Sequence, residues 1–217
     1  ANATKTIPIV GNAITSFETA KLVKSDKHPG GNVTGVSDMA PVAAQLDLGL
    51  KLLPGTKKVG LMYTSSEMNS HVQINIAKEH LKKLGIAYEE GSVNTVNDIQ
   101  EIARGLISRG VNFIYVPTDN IIVSATPALV AITDEAKIPV VAAEASLLKS
   151  GATASINIEY YKLGVLSGEM AADILAGKSK PQDMPIQFQK DFTSIINKGH
   201  AEKLGIKIPE ELAQFAK

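Results

Sequence analysis

The spacing of four apolar segments constrains the fold of this chain more than any other feature. These segments begin at Lys57, Gly85, Asn112 and Ile138. The repeat of about 27 residues is long enough for a strand followed by a crossover helix. The runs at 59–63, 113–116 and 138–143 are almost continuously apolar, as expected of parallel strands that helices cover on both faces. The spacing therefore predicts an α/β fold with parallel sheets flanked by helices.

Helical stripes of apolar residues lie between these strands. Residues 74–84 carry one stripe that stops at Gly85, and residues 97–109 carry another, in which Asn97 is the expected N-cap. A third stripe spans residues 163–174. The segment "FETAKLVKS" (17–25) is compatible with a helix that joins two further strand-like stretches, 4–16 and 31–38. A last helix is expected around "PEELAQF".

Composition limits the functions open to this chain. Lys plus Arg and Asp plus Glu number 22 each, so no basic field exists to attract nucleic acid, which is not an expected partner. The absence of cysteine excludes disulfides, thiolate catalysis and thiolate metal sites. The four histidines show no paired metal spacing, and neither a nucleophile elbow nor a dinucleotide-binding motif occurs. The sequence therefore predicts no enzyme, no metal site and no cofactor.

Polar clusters follow the predicted strands at the point where each strand ends. Because ligands of open parallel sheets bind outside the carboxyl ends of the strands, these clusters are the candidate ligand site. Its candidate residues are Thr15, Ser37, Asp38, Ser65, Ser66, Glu67, Asn69, Ser70, Thr118, Asp119, Asn120 and Glu144. Helix capping is the alternative for each cluster, and it is the favoured role for Ser70 and for Ser146.

The charges in these clusters suit a zwitterion. Glu144 directly follows the apolar run "IPVVAA", where a carboxylate is costly unless a positive group meets it. Together with Asp119 at the neighbouring strand end, it would hold an ammonium group. The helix start "TSSEMNS" and Thr15 offer N–H and hydroxyl donors for a carboxylate. The residues themselves thus point to an α-amino acid.

Several motifs, in one order, resemble a known family. "GGNVTGVSD", "YTSSEMNS", "YVPTDN", "GATASINIEYYKLG" and "INKGHAEKLGI" are similar to segments of the substrate-binding lipoproteins of ABC importers, in the family of the tryptophan/tyrosine-binding component. The resemblance runs nearly end to end. It implies a type I periplasmic-binding-protein fold with two α/β lobes that close over a ligand by a hinge motion. Residues 1–38 and 156–183 would form lobe one, and residues 39–155 and 184–217 lobe two.

The same resemblance implies a function without chemistry. Such a protein captures an amino acid, here an aromatic one (tryptophan, tyrosine or phenylalanine), in an interlobe cleft outside the cytoplasm and delivers it to the transmembrane subunits of an ABC permease. Glu144 would hold the ligand ammonium, Thr118, Asp119 and Asn120 would face the same cleft, and Thr15 would lie near the ligand carboxylate. The alternative is the ligand-sensing domain of a transcription regulator, which has the same fold.

The sequence departs from the family pattern at its beginning. Family members start lobe one with about three β/α units ahead of the strand "IPIV", and these units are not found here. We therefore expect that the sequence is a fragment or that its lobe one is incomplete, and we expect an exposed sheet edge where the missing strands would pair. The start "ANATKTIPIV" has no signal-peptide pattern, so any signal or lipid anchor is expected to have been removed, and membrane attachment would depend on that anchor alone.

Overall fold

The computed structural model describes residues 1–217, which form nine strands and eight α-helices. The strands are β1 (Ile9–Asn12), β2 (Val33–Ser37), β3 (Lys58–Thr64), β4 (Ala87–Val93), β5 (Phe113–Val116), β6 (Val140–Ala142), β7 (Ala154–Asn157), β8 (Gln187–Phe188) and β9 (Thr193–Ile196). The helices are α1 (Val42–Leu52), α2 (Met68–Leu84), α3 (Ile99–Ser108), α4 (Asn120–Ser124), α5 (Thr126–Glu135), α6 (Ala145–Lys149), α7 (Tyr160–Leu175) and α8 (Lys198–Lys203). No helix combines the length and apolar character needed to cross a membrane.

The chain divides into two compact units. Unit 1 contains residues 1–39 and 158–192, and unit 2 contains residues 40–157 and 193–217. Residues 184–192 are predicted from the sequence to belong to lobe two. This segment contains β8, which instead pairs in parallel with β2 of unit 1, because its backbone continues the hydrogen-bond ladder of that sheet.

Unit 2 is built on a six-stranded sheet with the order β4-β3-β5-β6-β7-β9. The first five strands in this order are parallel to their neighbours, and β9 is antiparallel to β7. Every residue of β5 is buried, because this strand lies inside the sheet with helices on both sides. The predicted parallel α/β architecture is confirmed, and the polar residues that follow β3, β5, β6 and β7 all leave the sheet at its carboxyl edge.

Local sequence explains where the unit 2 helices begin and end. Gly85 ends α2 in the left-handed conformation, with φ of 69°, which glycine adopts at little cost. The N-terminal cap ahead of α3 is Thr95, which forms a capping box with Asp98. Asn97 was predicted as that cap, but it lies inside the 3-10 turn Val96–Asp98, and its backbone N–H donates to the Thr95 hydroxyl.

Unit 1 contains a three-stranded parallel sheet with the order β1-β2-β8. Its core is small, with Phe17, Val33 and Ile186 at the centre. Gly35 is required where β2 approaches β1, because a Cβ at this position would overlap the Gly11 carbonyl group. Helix α7 packs against both β1 and β2.

Two predicted helices are not α-helices. Residues 17–25 form turns, and the positive φ of Lys21, 56°, interrupts any helical path through them. The C-terminal segment Glu210–Phe215 is a 3-10 helix. Helices α1 and α8 were not anticipated.

Candidate functional site

Asp119 sits at the carboxyl end of β5, where its side chain is fully occupied by protein donors. Oδ1 accepts from the Thr64 hydroxyl at 2.7 Å and from the Ile122 backbone N–H at 3.0 Å. Oδ2 accepts from the Thr64 backbone N–H and from the Ser70 hydroxyl, each at 2.7 Å. The residue is 0% exposed. The hydrogen bond from the Ile122 N–H caps α4, which agrees with the capping role that is the alternative for Asp119. Contact between Asp119 and a ligand stays a prediction.

Thr118, the residue before Asp119, is also held by hydrogen bonds to its backbone. Its backbone N–H donates to Gln73 Oε1 at 3.2 Å, and its carbonyl oxygen accepts from Asn69 Nδ2 at 2.8 Å. The structure therefore brings Asn69, Ser70, Thr118 and Asp119 into one network between the start of α2 and the end of β5.

Glu67 joins this network to the start of α4. It accepts from Asn69 Nδ2 at 2.9 Å, from the backbone N–H and the side-chain amide of Asn120 at 3.1 and 3.0 Å, and from the Ile121 N–H at 3.2 Å. All of these donors are neutral. The carboxylate thus satisfies backbone N–H groups at a helix start, where negative charge is favourable.

Ser70 and Ser146, for which the sequence favours a capping role, do not occupy N-cap positions. Residue Glu67 occupies the N-cap position of α2, and Ser70 lies inside the helix, so the capping role predicted for Ser70 is wrong. Glu144 occupies the N-cap position of α6, and Ser146 lies inside that helix and donates to Glu144 Oε2 at 2.9 Å. Ser65 donates its hydroxyl proton to Asn94 Oδ1, and Ser66 is exposed.

Glu144 is the predicted acidic ligand contact, and this role stays a prediction. It comes two residues after β6, a strand whose three residues are all buried, and Glu144 itself is partly exposed. A carboxylate at the carboxyl edge of a parallel sheet that still reaches solvent is suited to meet a cation.

Gln45 is a buried residue that the sequence analysis missed. Its Nε2 donates to the carbonyl oxygen of Ala143 at 3.2 Å and to that of Ile156 at 2.9 Å. Its Oε1 accepts from the Tyr115 hydroxyl at 2.8 Å, and burial raises the pKa of Tyr115, so the hydroxyl remains a donor. Helical periodicity in the sequence could have predicted that Gln45 is buried, because it lies on the same face of α1 as Val42 and Gly49, which are buried too.

In unit 1, Thr15, Ser37 and Asp38 come together. The Thr15 hydroxyl donates to Asp38 Oδ1 at 2.8 Å, and the Ser37 hydroxyl donates to the Thr15 carbonyl oxygen at 2.9 Å. All three residues are at most 6% exposed. Burial raises the pKa of Asp38, although hydrogen bonds from Thr15, from its own backbone and from Tyr160 oppose the shift. The cluster is a hydroxyl-rich wall at the carboxyl ends of β1 and β2.

One side-chain constellation superficially resembles a catalytic triad. His200 Nδ1 lies 3.0 Å from the Thr153 hydroxyl, and Nε2 lies 2.7 Å from Asp134 Oδ1. Thr153 is 0% exposed, so no substrate reaches its hydroxyl, and the contacts of the two ring nitrogens are reversed relative to a Ser-His-Asp triad. The contacts of His200 with Thr153 and Asp134 therefore have a structural role. No group of three or more His, Cys, Asp or Glu residues is arranged to hold a metal ion.

The family model for ABC transporter substrate binding proteins matches residues 1–217. The chain belongs to this family. The fold implied by the resemblance, that of type I periplasmic binding proteins, is shared with the solved structures described below.

Named relatives of this ABC substrate-binding protein include a tyrosine-binding protein of Clostridioides difficile, which is 38% identical over 95% of this chain and 59% of its own length. A protein of Rickettsia prowazekii is 28% identical over 83% of this chain and 57% of its own length. The chain thus spans a little under six tenths of these two curated relatives.

Solved structures agree with this assignment. A crystal structure of an ABC domain from Streptococcus pneumonia in complex with L-Trp has a TM-score of 0.91 at 38% identity, covering 99% of this chain and 72% of that one. A conserved domain protein from Vibrio cholerae has a TM-score of 0.93 at 37% identity, covering 100% and 72%. A LacI-family regulator from Enterococcus faecalis, at 16% identity and a TM-score of 0.56, shares the fold alone.

Proposed function

We propose that this protein captures an aromatic α-amino acid outside the cytoplasm and delivers it to the transmembrane subunits of an ABC importer. The observation that carries the proposal is the similarity to the L-Trp complex, with 38% identity across 99% of this chain. The identity to a tyrosine-binding protein points to the same ligand class. In this proposal, unit 1 and unit 2 are the two lobes of the binding protein.

The polar groups of the proposed site are assigned either to the ligand ammonium or to the ligand carboxylate. Glu144, partly exposed at the end of β6, is the proposed partner of the ligand ammonium. Ser66, which is exposed after β3, and Asn120, which follows β5, leave the same carboxyl edge of the sheet and are further candidate contacts. In unit 1, Thr15 and Ser37 are the proposed neighbours of the ligand carboxylate. Asp38 accepts the Thr15 hydroxyl proton, so it fixes the position of the Thr15 side chain.

Thermal unfolding with each of the twenty amino acids tests this function. A ligand at about 100 times its Kd stabilises the folded state by about 2.7 kcal/mol, which corresponds to a rise in Tm of roughly 5–10 °C for a chain of this size. We expect tryptophan, tyrosine or phenylalanine to produce this rise. A panel in which no amino acid moves the Tm contradicts the proposal.

Substitution of Glu144 by Gln tests the ammonium contact within the same assay. The Gln side chain keeps the size and the hydrogen-bonding oxygen but loses the charge, so the ligand-induced rise should be abolished or strongly reduced. Glu79→Gln is the matched control, because Glu79 is an exposed glutamate of α2 and its charge lies outside the proposed site. An equal ligand response in both variants would remove Glu144 from the site.

A further inference from the structure

Asn157 ends β7 beside the position from which Glu144 leaves the sheet. Strands β6 and β7 are parallel neighbours, with Ala142 opposite Ser155. Gln45 Nε2 holds the carbonyl oxygens of Ala143 and Ile156 together, at 3.2 and 2.9 Å. Glu144 directly follows Ala143, and Asn157 directly follows Ile156. Both side chains therefore leave the sheet at neighbouring points of its carboxyl edge.

The Asn157 side chain has an unmet hydrogen-bonding capacity. Its Oδ1 is buried and has no hydrogen-bond donor, although the residue as a whole is partly exposed. Buried carbonyl oxygens are nearly always paired, because an unpaired one loses its bonds to water without replacement. An unpaired oxygen at the edge of the sheet where ligands of this fold bind indicates that its donor comes from outside the chain.

We propose that Asn157 is a further ligand contact, whose side-chain oxygen accepts an N–H from the ammonium group that Glu144 neutralises. This inference rests on the proposed function, since it assigns a second residue to the same ammonium. An ammonium group carries three N–H donors, and a carboxylate and a neutral amide oxygen side by side supply acceptors for two of them. A ligand carboxylate does not fit this position, because Glu144 repels it.

Ser155 provides a matched control on the same strand. It lies two residues before Asn157, so both side chains point to the same face of the sheet. Its hydroxyl oxygen is also buried without a partner, and the residue is 0% exposed. Its strand neighbours are Ala142 and Ile195, which are apolar and lie below the edge. Ser155 therefore shares the unpaired oxygen of Asn157 but not its place at the ligand edge.

Isothermal titration of the intact protein with the aromatic amino acid that gives the largest thermal shift tests the inference. Loss of a hydrogen bond to a charged group predicts that Asn157→Ala weakens binding by about tenfold or more. Ser155→Ala should bind within about twofold of the wild type. The double variant Glu144→Gln/Asn157→Ala should lose less affinity than the product of the two single losses, because both residues contact one group.

Asn157→Asp distinguishes a specific contact from damage to the fold. A second carboxylate beside Glu144 should lower the Tm of the ligand-free protein through like-charge repulsion and enlarge the rise in Tm on binding, because the ammonium relieves that repulsion. Asn157→Ala binding within twofold of a wild type that does bind, or an equal loss in Ser155→Ala, overturns the role of Asn157 alone. A wild type that binds no amino acid overturns the proposed function, and this inference falls with it.

Discussion

At the scale of single residues, the structure separates two carboxylates that look alike in the sequence. Asp119 and Glu144 both follow buried strands, yet Asp119 is 0% exposed and accepts four hydrogen bonds from the protein, whereas Glu144 is partly exposed. The first stabilises the junction of β3, α2 and α4, and the second is the better candidate for a ligand contact. The difference follows from burial, which is complete for Asp119 and partial for Glu144.

Replacement of Asp119 by Ala should therefore act mainly on stability. Removal of the carboxylate leaves the Thr64 N–H, the Ser70 hydroxyl and the Ile122 N–H without their acceptor, and a buried network of this kind is worth about 2–4 kcal/mol. Urea denaturation measures the change in the free energy of unfolding. The exposed Glu79→Ala variant should change it by less than about 0.5 kcal/mol, and a similarly small change in Asp119→Ala would contradict the structural role.

At the scale of elements, helix α8 is attached to α5 by ionic contacts. Asp134 accepts from His200 Nε2 at 2.7 Å and from Lys203 Nζ at 2.6 Å. Burial acts to raise the pKa of Asp134, but the hydrogen bonds and charges of Lys203 and His200 together lower it below its ordinary value of 3.8. Three residues on two helices that are far apart in the sequence thus hold the C-terminal segment to the rest of unit 2.

The lowered pKa of Asp134 makes this attachment sensitive to acid. A carboxyl whose pKa is lower in the folded state stabilises that state above the unfolded value of about 3.8, and the contribution is lost as the pH falls through the folded pKa. Asp134→Asn should therefore cost stability at pH 7 and less at pH 3. Urea denaturation of the wild type and the variant at both pH values measures the difference, and Asp183→Asn, at an exposed position of the 3-10 turn Pro181–Asp183, is the control. A cost that does not depend on pH would exclude the ionic contribution.

At the scale of the whole molecule, the two units differ in how much apolar core they contain. Unit 2 has a large core cluster that includes Met62, Ile114, Val116, Val140 and Leu147, around a six-stranded sheet. Unit 1 has three strands, of which β1 and β8 are edges, and a core cluster centred on Phe17, Val33 and Ile186. The smaller core gives unit 1 less hydrophobic stabilisation.

Hydrogen exchange should report this difference. We expect amides of β1 and β2 to exchange faster than those of β3, β5 and β6, because local opening is easier where fewer apolar contacts are lost. Mass spectrometry of peptides from the two units measures the rates. Equal protection of β2 and β5 would show that the two units unfold as one cooperative element.

The sequence by itself determined the parallel α/β architecture, because strands and crossover helices repeat every 27 or so residues and local apolar patterns are read without knowledge of contacts. It also determined that polar residues follow β3, β5 and β6. Tertiary structure alone decided which of these residues are already bonded to one another, since the partners of Asp119 lie as far away as Thr64 in the chain. It likewise decided that Gln45 joins the ends of β6 and β7, and that residues 187–188 pair with β2. Contacts between distant segments depend on the packing of the whole sheet, which no local pattern encodes.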